Sequence, residues 1–197
     1  MNLKENRKLA FIVLAAAIII SIGVMGPVSL MRSHSKAAEL FMQGDNREMI
    51  LRCAEQGALL GQMSDVYLAD AAIDQYASAQ TASALRAGDY TALPATLQSL
   101  SADLKAATDP NTCLAILIEL NTAVEKTYTG LEMLDIADDD FRNIKLSYYD
   151  YKGALDILSR EETYAEAAAR FNKQAKGFPA GLFCDILNIA PLTTYGG

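Results

Sequence analysis

The 197-residue sequence predicts an all-α protein: an N-terminal transmembrane helix followed by an antiparallel bundle of long helices. Three observations carry this. Residues 9–31, "LAFIVLAAAIIISIGVMGPVSLM", are 23 positions without a charge. Downstream, apolar residues recur at steps of three and four, the spacing of one helix face. Finally, strand signals are missing, with no sustained alternation and no Asn-Gly or Asp-Gly hairpin.

Residues 1–8 form an N-terminal flank carrying Lys4, Arg7 and Lys8. At about 1.5 Å per residue the 9–31 run makes roughly 35 Å of helix, enough to cross a hydrocarbon core of about 30 Å with some tilt. The rival reading is a cleaved signal peptide, with residues 9–20 as its apolar region and Ser21 and Gly23 near a weak cleavage site. The run continues through Val24, Met25 and Leu30, which favours an uncleaved anchor in contact with membrane lipid. Three basic residues precede the run, while Arg32 and Lys36 follow it closely. That bias favours a single-pass protein of the cell membrane with its body on the extracytoplasmic side.

Residues 33–197 are expected to form one helical bundle domain with a capping tail at 177–197. Breaks are expected at 43–46, 87–91, 108–111, 137–140 and 177–181, each holding helix-stopping or capping residues. The long Ala-rich segment 46–86 carries a stripe through Leu59, Met63, Val66, Ile73 and Tyr76. Leu97, Leu100, Leu104 and Ala107 mark the next helix. Leu114, Leu117, Ile118, Asn121, Val124, Tyr128 and Leu131 mark another. Phe141, Ile144, Tyr148, Tyr151, Leu155 and Leu158 follow in near-heptad, coiled-coil-like spacing. Asp138, Asp139 and Asp140 offer N-cap oxygens to that last helix, and Ser159 with Glu162 has capping-box spacing, so the helix is expected to kink or restart there. The stripe then shifts phase to Tyr164, Ala168, Phe171, Ala175 and Phe178.

Charge excludes one class of partner. Residues 33–197 hold 13 Lys and Arg against 23 Asp and Glu, a net charge of −10. Nucleic acid would repel such a body, and no basic stripe interleaved with aromatics offsets this. Cys53, Cys113 and Cys184 lack the spacing of a metal site or a disulfide framework. They read as small buried apolar residues, with one long-range pair left open for an oxidising compartment. His34 reads as a solvated juxtamembrane residue. The acids Asp135, Asp138, Asp139 and Asp140 depart from an EF-hand loop, since Arg142 and Asn143 stand where an oxygen ligand and glycine belong, so a helix cap is the better reading. No nucleophile elbow, P-loop or dinucleotide fingerprint occurs. No residue is therefore assigned a catalytic, cofactor-binding or metal-ligating role, and the protein reads as a non-enzyme.

The C-terminal segment 164–183, "YAEAAARFNKQAKGFPAGLF", resembles the end of the LemA family, whose last long helix closes with a Tyr-Asn pattern and a Phe-Pro before an apolar tail. Tyr164, Asn172, Phe178, Pro179, Leu182 and Phe183 fit, and Pro191 and Tyr195 continue the pattern. A looser match is Asp65-Val66 followed by Ile73 to Ala77. There the family's basic pair and Ile-Pro-Asn-Leu are missing, and residues 129–163 read as an insertion. The resemblance implies a membrane-anchored bundle in a bacterial cell envelope, acting as a scaffold or adaptor without catalytic residues. Its partner would be another protein or a second copy, met through helix faces. The alternative is an extracytoplasmic binding module for a small ligand or envelope component held between helices. Asn121 is the one polar residue seen on a buried stripe. Gly177 suits a left-handed helix end, after which Phe178, Leu182, Phe183, Ile186 and Leu187 are expected to fold back and cover the bundle.

Overall fold

The computed structural model describes residues 10–15, 18, 23 and 25–195. It is an all-helical bundle, with no strand among the described residues. The helices are α1 (Gly26–Met42), α2 (Gly44–Leu68), α3 (Ile73–Tyr76), α4 (Ala79–Ala87), α5 (Leu93–Ala106), α6 (Pro110–Glu132), α7 (Asp138–Ser159), α8 (Glu162–Ala175) and α9 (Ala180–Leu187), with a 3-10 turn at Tyr90–Ala92. Among the described residues no helix is long and apolar enough to cross a membrane. The expected span 9–31 includes residues 9, 16, 17, 19–22 and 24, which lie outside the described ones. The change of composition at Arg32 is not a helix end, because α1 runs through it.

The chain divides into two compact units, one from the described residues of Met1–Leu40 and Glu162–Thr194, the other from those of Phe41–Glu161 with Tyr195. In the larger unit α2 packs against α5, α6 and α7. Its core is Ile50, Cys53, Leu60 and Leu68 of α2, Leu97 and Leu104 of α5, Leu117, Leu120, Val124 and Leu131 of α6, and Ile144, Tyr151, Leu155 and Leu158 of α7. Of the stripes expected on α5 and α7, Leu97, Leu104, Ala107, Ile144, Tyr151, Leu155 and Leu158 are buried, while Leu100, Phe141 and Tyr148 are half-buried. On α6 the expectation fails at Ile118, which is exposed, while Leu120 turns inward.

The stripe expected on α2 is out of phase. Leu59 and Val66 face solvent, Val66 at 56% exposure. The buried face is instead Asn46, Ile50, Cys53, Ala54, Gly57, Leu60, Gly61, Ser64 and Leu68. The reason is a close approach to α5. A Cβ on Gly57 would sit 2.8 Å from Ser101 Oγ, and one on Gly61 would sit 3.0 Å from the Pro94 carbonyl oxygen. Small residues belong on such a face, and hydropathy does not mark them as buried.

The breaks fall close to where they were expected, with two additions. The segment 46–86 is not continuous; it breaks at 69–72 and again at 77–78. Arg86 closes that corner, bonding Asp70 Oδ1 at 2.5 Å and both carboxylate oxygens of Asp74. Asp109 caps α6, its carboxylate accepting from the Thr112 amide at 3.0 Å, with Pro110 at the first helical position. The three acids at 138–140 are not N-caps. Ala137 holds that position without a side-chain bond, and the acids occupy the first turn, where their charge suits the positive helix end. The restart near Ser159 is present, since α7 ends there and α8 begins at Glu162. However, the Ser159 hydroxyl bonds back to the Asp156 carbonyl.

Candidate interaction surfaces

In the larger unit, α6 and α7 meet through a ladder of polar and aromatic side chains. Asn121 and Glu125 are one turn apart on α6, and Tyr148 and Lys152 one turn apart on α7, so the two pairs face each other. Lys152 Nζ donates to Glu125 Oε1 at 2.6 Å and to Asn121 Oδ1 at 3.3 Å. The Tyr148 hydroxyl donates to Glu125 Oε2 at 2.8 Å. Burial opposes ionisation of Glu125, but the Lys152 and Tyr148 hydrogen bonds outweigh it and hold the carboxyl below its ordinary pKa. Desolvation, with Glu132 alongside, pushes the Tyr128 phenol up to about 12.

Above this network the rings stack. The Tyr128 and Tyr148 centroids lie 4.0 Å apart at 14°, and Phe141 continues the stack 6.1 Å from Tyr128. Tyr149 meets Tyr148 edge-on at 5.4 Å and is 62% exposed. Lys145 Nζ lies 4.8 Å from the Phe141 centroid, a cation–π contact. Both Glu125 oxygens are engaged, and the stacked rings form an aromatic ledge beside them. Phe141, Tyr148 and Asn121 lie on the stripes expected from the sequence, whereas Glu125 and Lys152 do not. The matched four-residue spacing on two adjacent helices was the available signal.

The smaller unit is held by the residues that carry the C-terminal pattern. The Asn172 carboxamide bonds the Leu192 backbone twice: Nδ2 donates to its carbonyl at 2.7 Å, and Oδ1 accepts from its amide at 2.9 Å. The Tyr164 hydroxyl donates to the Thr193 carbonyl at 2.6 Å. Leu192 is buried, as are Tyr164, Ala168 and Phe171. His34 is half-buried rather than fully solvated; its ring packs edge-on against Phe171, 5.0 Å between centroids. An open groove of about 440 Å³ runs between α1 and α8, lined by Ser33, Lys36, Glu166, Arg170 and Gln174 among others.

The tail does not cap in the expected way. Phe178 is 92% exposed, Ile186 69% and Leu182 53%, and Leu187 also faces solvent. Cys184 is buried and Phe183 half-buried, so the inward contacts of α9 come from the opposite side of the helix. A Cβ at Gly26 would lie 3.2 Å from the Phe183 ring, so this glycine makes room for Phe183. The left-handed helix end falls at Asn188, φ 52°, rather than at Gly177.

Cys53, Cys113 and Cys184 are free and buried. Among the described residues no group of three His, Cys, Asp or Glu could hold a metal ion. Comparison with family models, curated proteins and solved structures finds no match to this chain.

Proposed function

We propose that this protein is a membrane-anchored, single-pass, non-enzymatic scaffold or adaptor of the LemA type. In this reading the smaller unit sits at the bilayer, and the larger unit meets a protein partner on the extracytoplasmic side. The observation that carries the reading is a segregation of charge and apolar exposure. Without residues 1–8, which this reading places across the bilayer, the sequence of the smaller unit holds five Lys and Arg against four Asp and Glu, whereas that of the larger holds nine against nineteen. Large exposed apolar side chains concentrate in the smaller unit, at Phe11, Ile12, Val13, Leu14, Ile18, Met25, Val28, Met31 and the outer side of α9. A nearly neutral, apolar unit can rest on an anionic bilayer, whereas a strongly acidic unit is repelled by it. The aromatic ledge of α6 and α7 supports a partner surface, since Tyr is enriched in protein interfaces.

The test is alkaline carbonate extraction of membranes holding the full-length chain, followed by crosslinking through Tyr149-proximal lysines. Retention in the pellet is expected, and release into the supernatant refutes the anchor. Protease shaving of intact cells tests orientation, and a larger unit untouched until lysis refutes the extracytoplasmic side. A second reading, a small-ligand module, is favoured by the groove at Lys36 and Arg170. Its openness leaves a ligand largely solvated, which makes it the weaker of the two.

A further inference from the structure

We propose that the outer face of α9, with Phe178 before it, docks onto the lipid surface of the same bilayer that the 9–31 run enters. The inference rests on the membrane-anchor reading above. Helix α9, "AGLFCDIL", has six apolar residues in eight, and only Phe183 and Cys184 of its large side chains turn toward the protein. A helix that is apolar on both sides needs cover on both sides. The unit covers one side, while Leu182 and Ile186, one turn apart, form a stripe on the other.

Position identifies what covers that stripe. Gly26, Ser29 and Leu30 of α1 line a common cleft with Pro179, Ala180 and Phe183, so α9 lies beside the first turns of α1. If the 9–31 run spans the bilayer as proposed above, its length of about 23 residues matches a hydrocarbon core of about 30 Å and puts Gly26 to Leu30 near the far boundary. Helix α9 therefore lies at the headgroup–acyl boundary, the level at which apolar helix faces rest on membranes. Charge agrees. Lys173 and Lys176 stand in the turns just before Phe178, and Arg32 and Lys36 continue α1 beyond the boundary, all four exposed. Asp185 is the single acid on α9. A protein partner fits less well, because a face of three or four side chains is far short of the roughly 800 Å² that each side of a stable interface buries.

The chain contains no tryptophan, so Phe178→Trp introduces a sole indole at an exposed position that does not disturb the core. The full chain is reconstituted in phosphatidylcholine–phosphatidylglycerol vesicles with or without bromine on the upper acyl chain. Tyr149→Trp in the other unit is the reference, and circular dichroism and melting confirm that both variants match the parent. The indole at position 178 is expected to emit blue-shifted and to lose about half its intensity or more to brominated lipid, whereas the reference stays unquenched. A water-like emission, quenched by iodide but not by bromolipid, in a chain that survives alkaline extraction overturns the docking face and leaves the anchor intact. A blue shift that needs no lipid and grows with protein concentration assigns the face to a second copy, which also overturns it. Bromolipid quenching in a chain that alkali releases supports the docking face and sinks the anchor. No vesicle association at all sinks both.

Discussion

Replacing Asn172 with Ala removes the one side chain that bonds both polar groups of the Leu192 backbone. Each hydrogen bond contributes about 0.5–1.5 kcal/mol net, and a part-buried amide and carbonyl left without partners add a desolvation cost, so the expected loss is about 2–4 kcal/mol. Freeing the segment also returns the Leu192 side chain, now 3% exposed, to water, which is worth a further 1.5–3 kcal/mol or so if it detaches fully. Because the chain has two units, a single melting curve need not be two-state, so a local readout is the better assay. Amide hydrogen exchange at Leu192 reports the bond directly. Asn172→Ala should remove the protection of that amide while leaving the core amides of α6 unchanged. Asn172→Asp keeps the acceptor but aims a carboxylate at the Leu192 carbonyl. It should fail at neutral pH and recover as acid protonates the carboxyl, which can then donate. Unchanged protection of the Leu192 amide in Asn172→Ala would refute the tether.

Other substitutions test the larger unit. Gly61→Ala gains helix propensity, but its Cβ meets the Pro94 carbonyl at 3.0 Å, so a net loss of about 1–2 kcal/mol is expected in urea unfolding. Gly153→Ala, with nothing within 4 Å, should instead gain about 0.5–1 kcal/mol. The Tyr151 hydroxyl is buried without a hydrogen-bond partner among the described residues, so Tyr151→Phe should hold or raise the melting temperature. Burial pushes the Cys53 thiol from 9.0 up to about 12 and the Cys113 thiol to about 11. A folded pKa raised in this way leaves their contribution intact below the unfolded thiol range. It is lost as pH climbs from about 9 toward those values, so melting scans should fall across that window and Cys53→Ala should flatten the fall.

What the sequence disclosed follows from which physical signal each element carries. Helices α5 and α7 bury mostly large aliphatic and aromatic residues, so hydropathy finds most of their faces and misses only small buried residues such as Ser101 and Ser147. Helix α2 packs closely enough on α5 to need Gly57 and Gly61, and a hydropathy stripe mistakes such a face for a polar one. The corner at 69–78 was also hidden. Arg86 reaches back across it to Asp70 and Asp74, a pairing that no local pattern announces. The α6–α7 ledge was half visible, since aromatic residues stand out on a stripe, whereas Glu125 and Lys152 look like ordinary solvated charges until the two helices are set side by side.

The C-terminal pattern separates into two physical jobs. Tyr164 and Asn172 point their polar ends at the backbone of 192 and 193, and this alone accounts for a Tyr and an Asn eight residues apart on α8. The tether fixes the segment beyond α9, and Phe183 and Cys184 fix α9 itself, so the intervening Phe178, Leu182 and Ile186 are held outward. Capping by those three side chains would require α9 to turn its other face inward, which would expose Phe183 and Cys184 in exchange. Such a turn would also pull on the segment beyond α9, which is held by the Asn172 and Tyr164 bonds to the backbone of Leu192 and Thr193. An outward apolar stripe on a helix anchored at both ends is therefore a fixed feature of the fold, and its stabilisation has to come from whatever lies outside the chain.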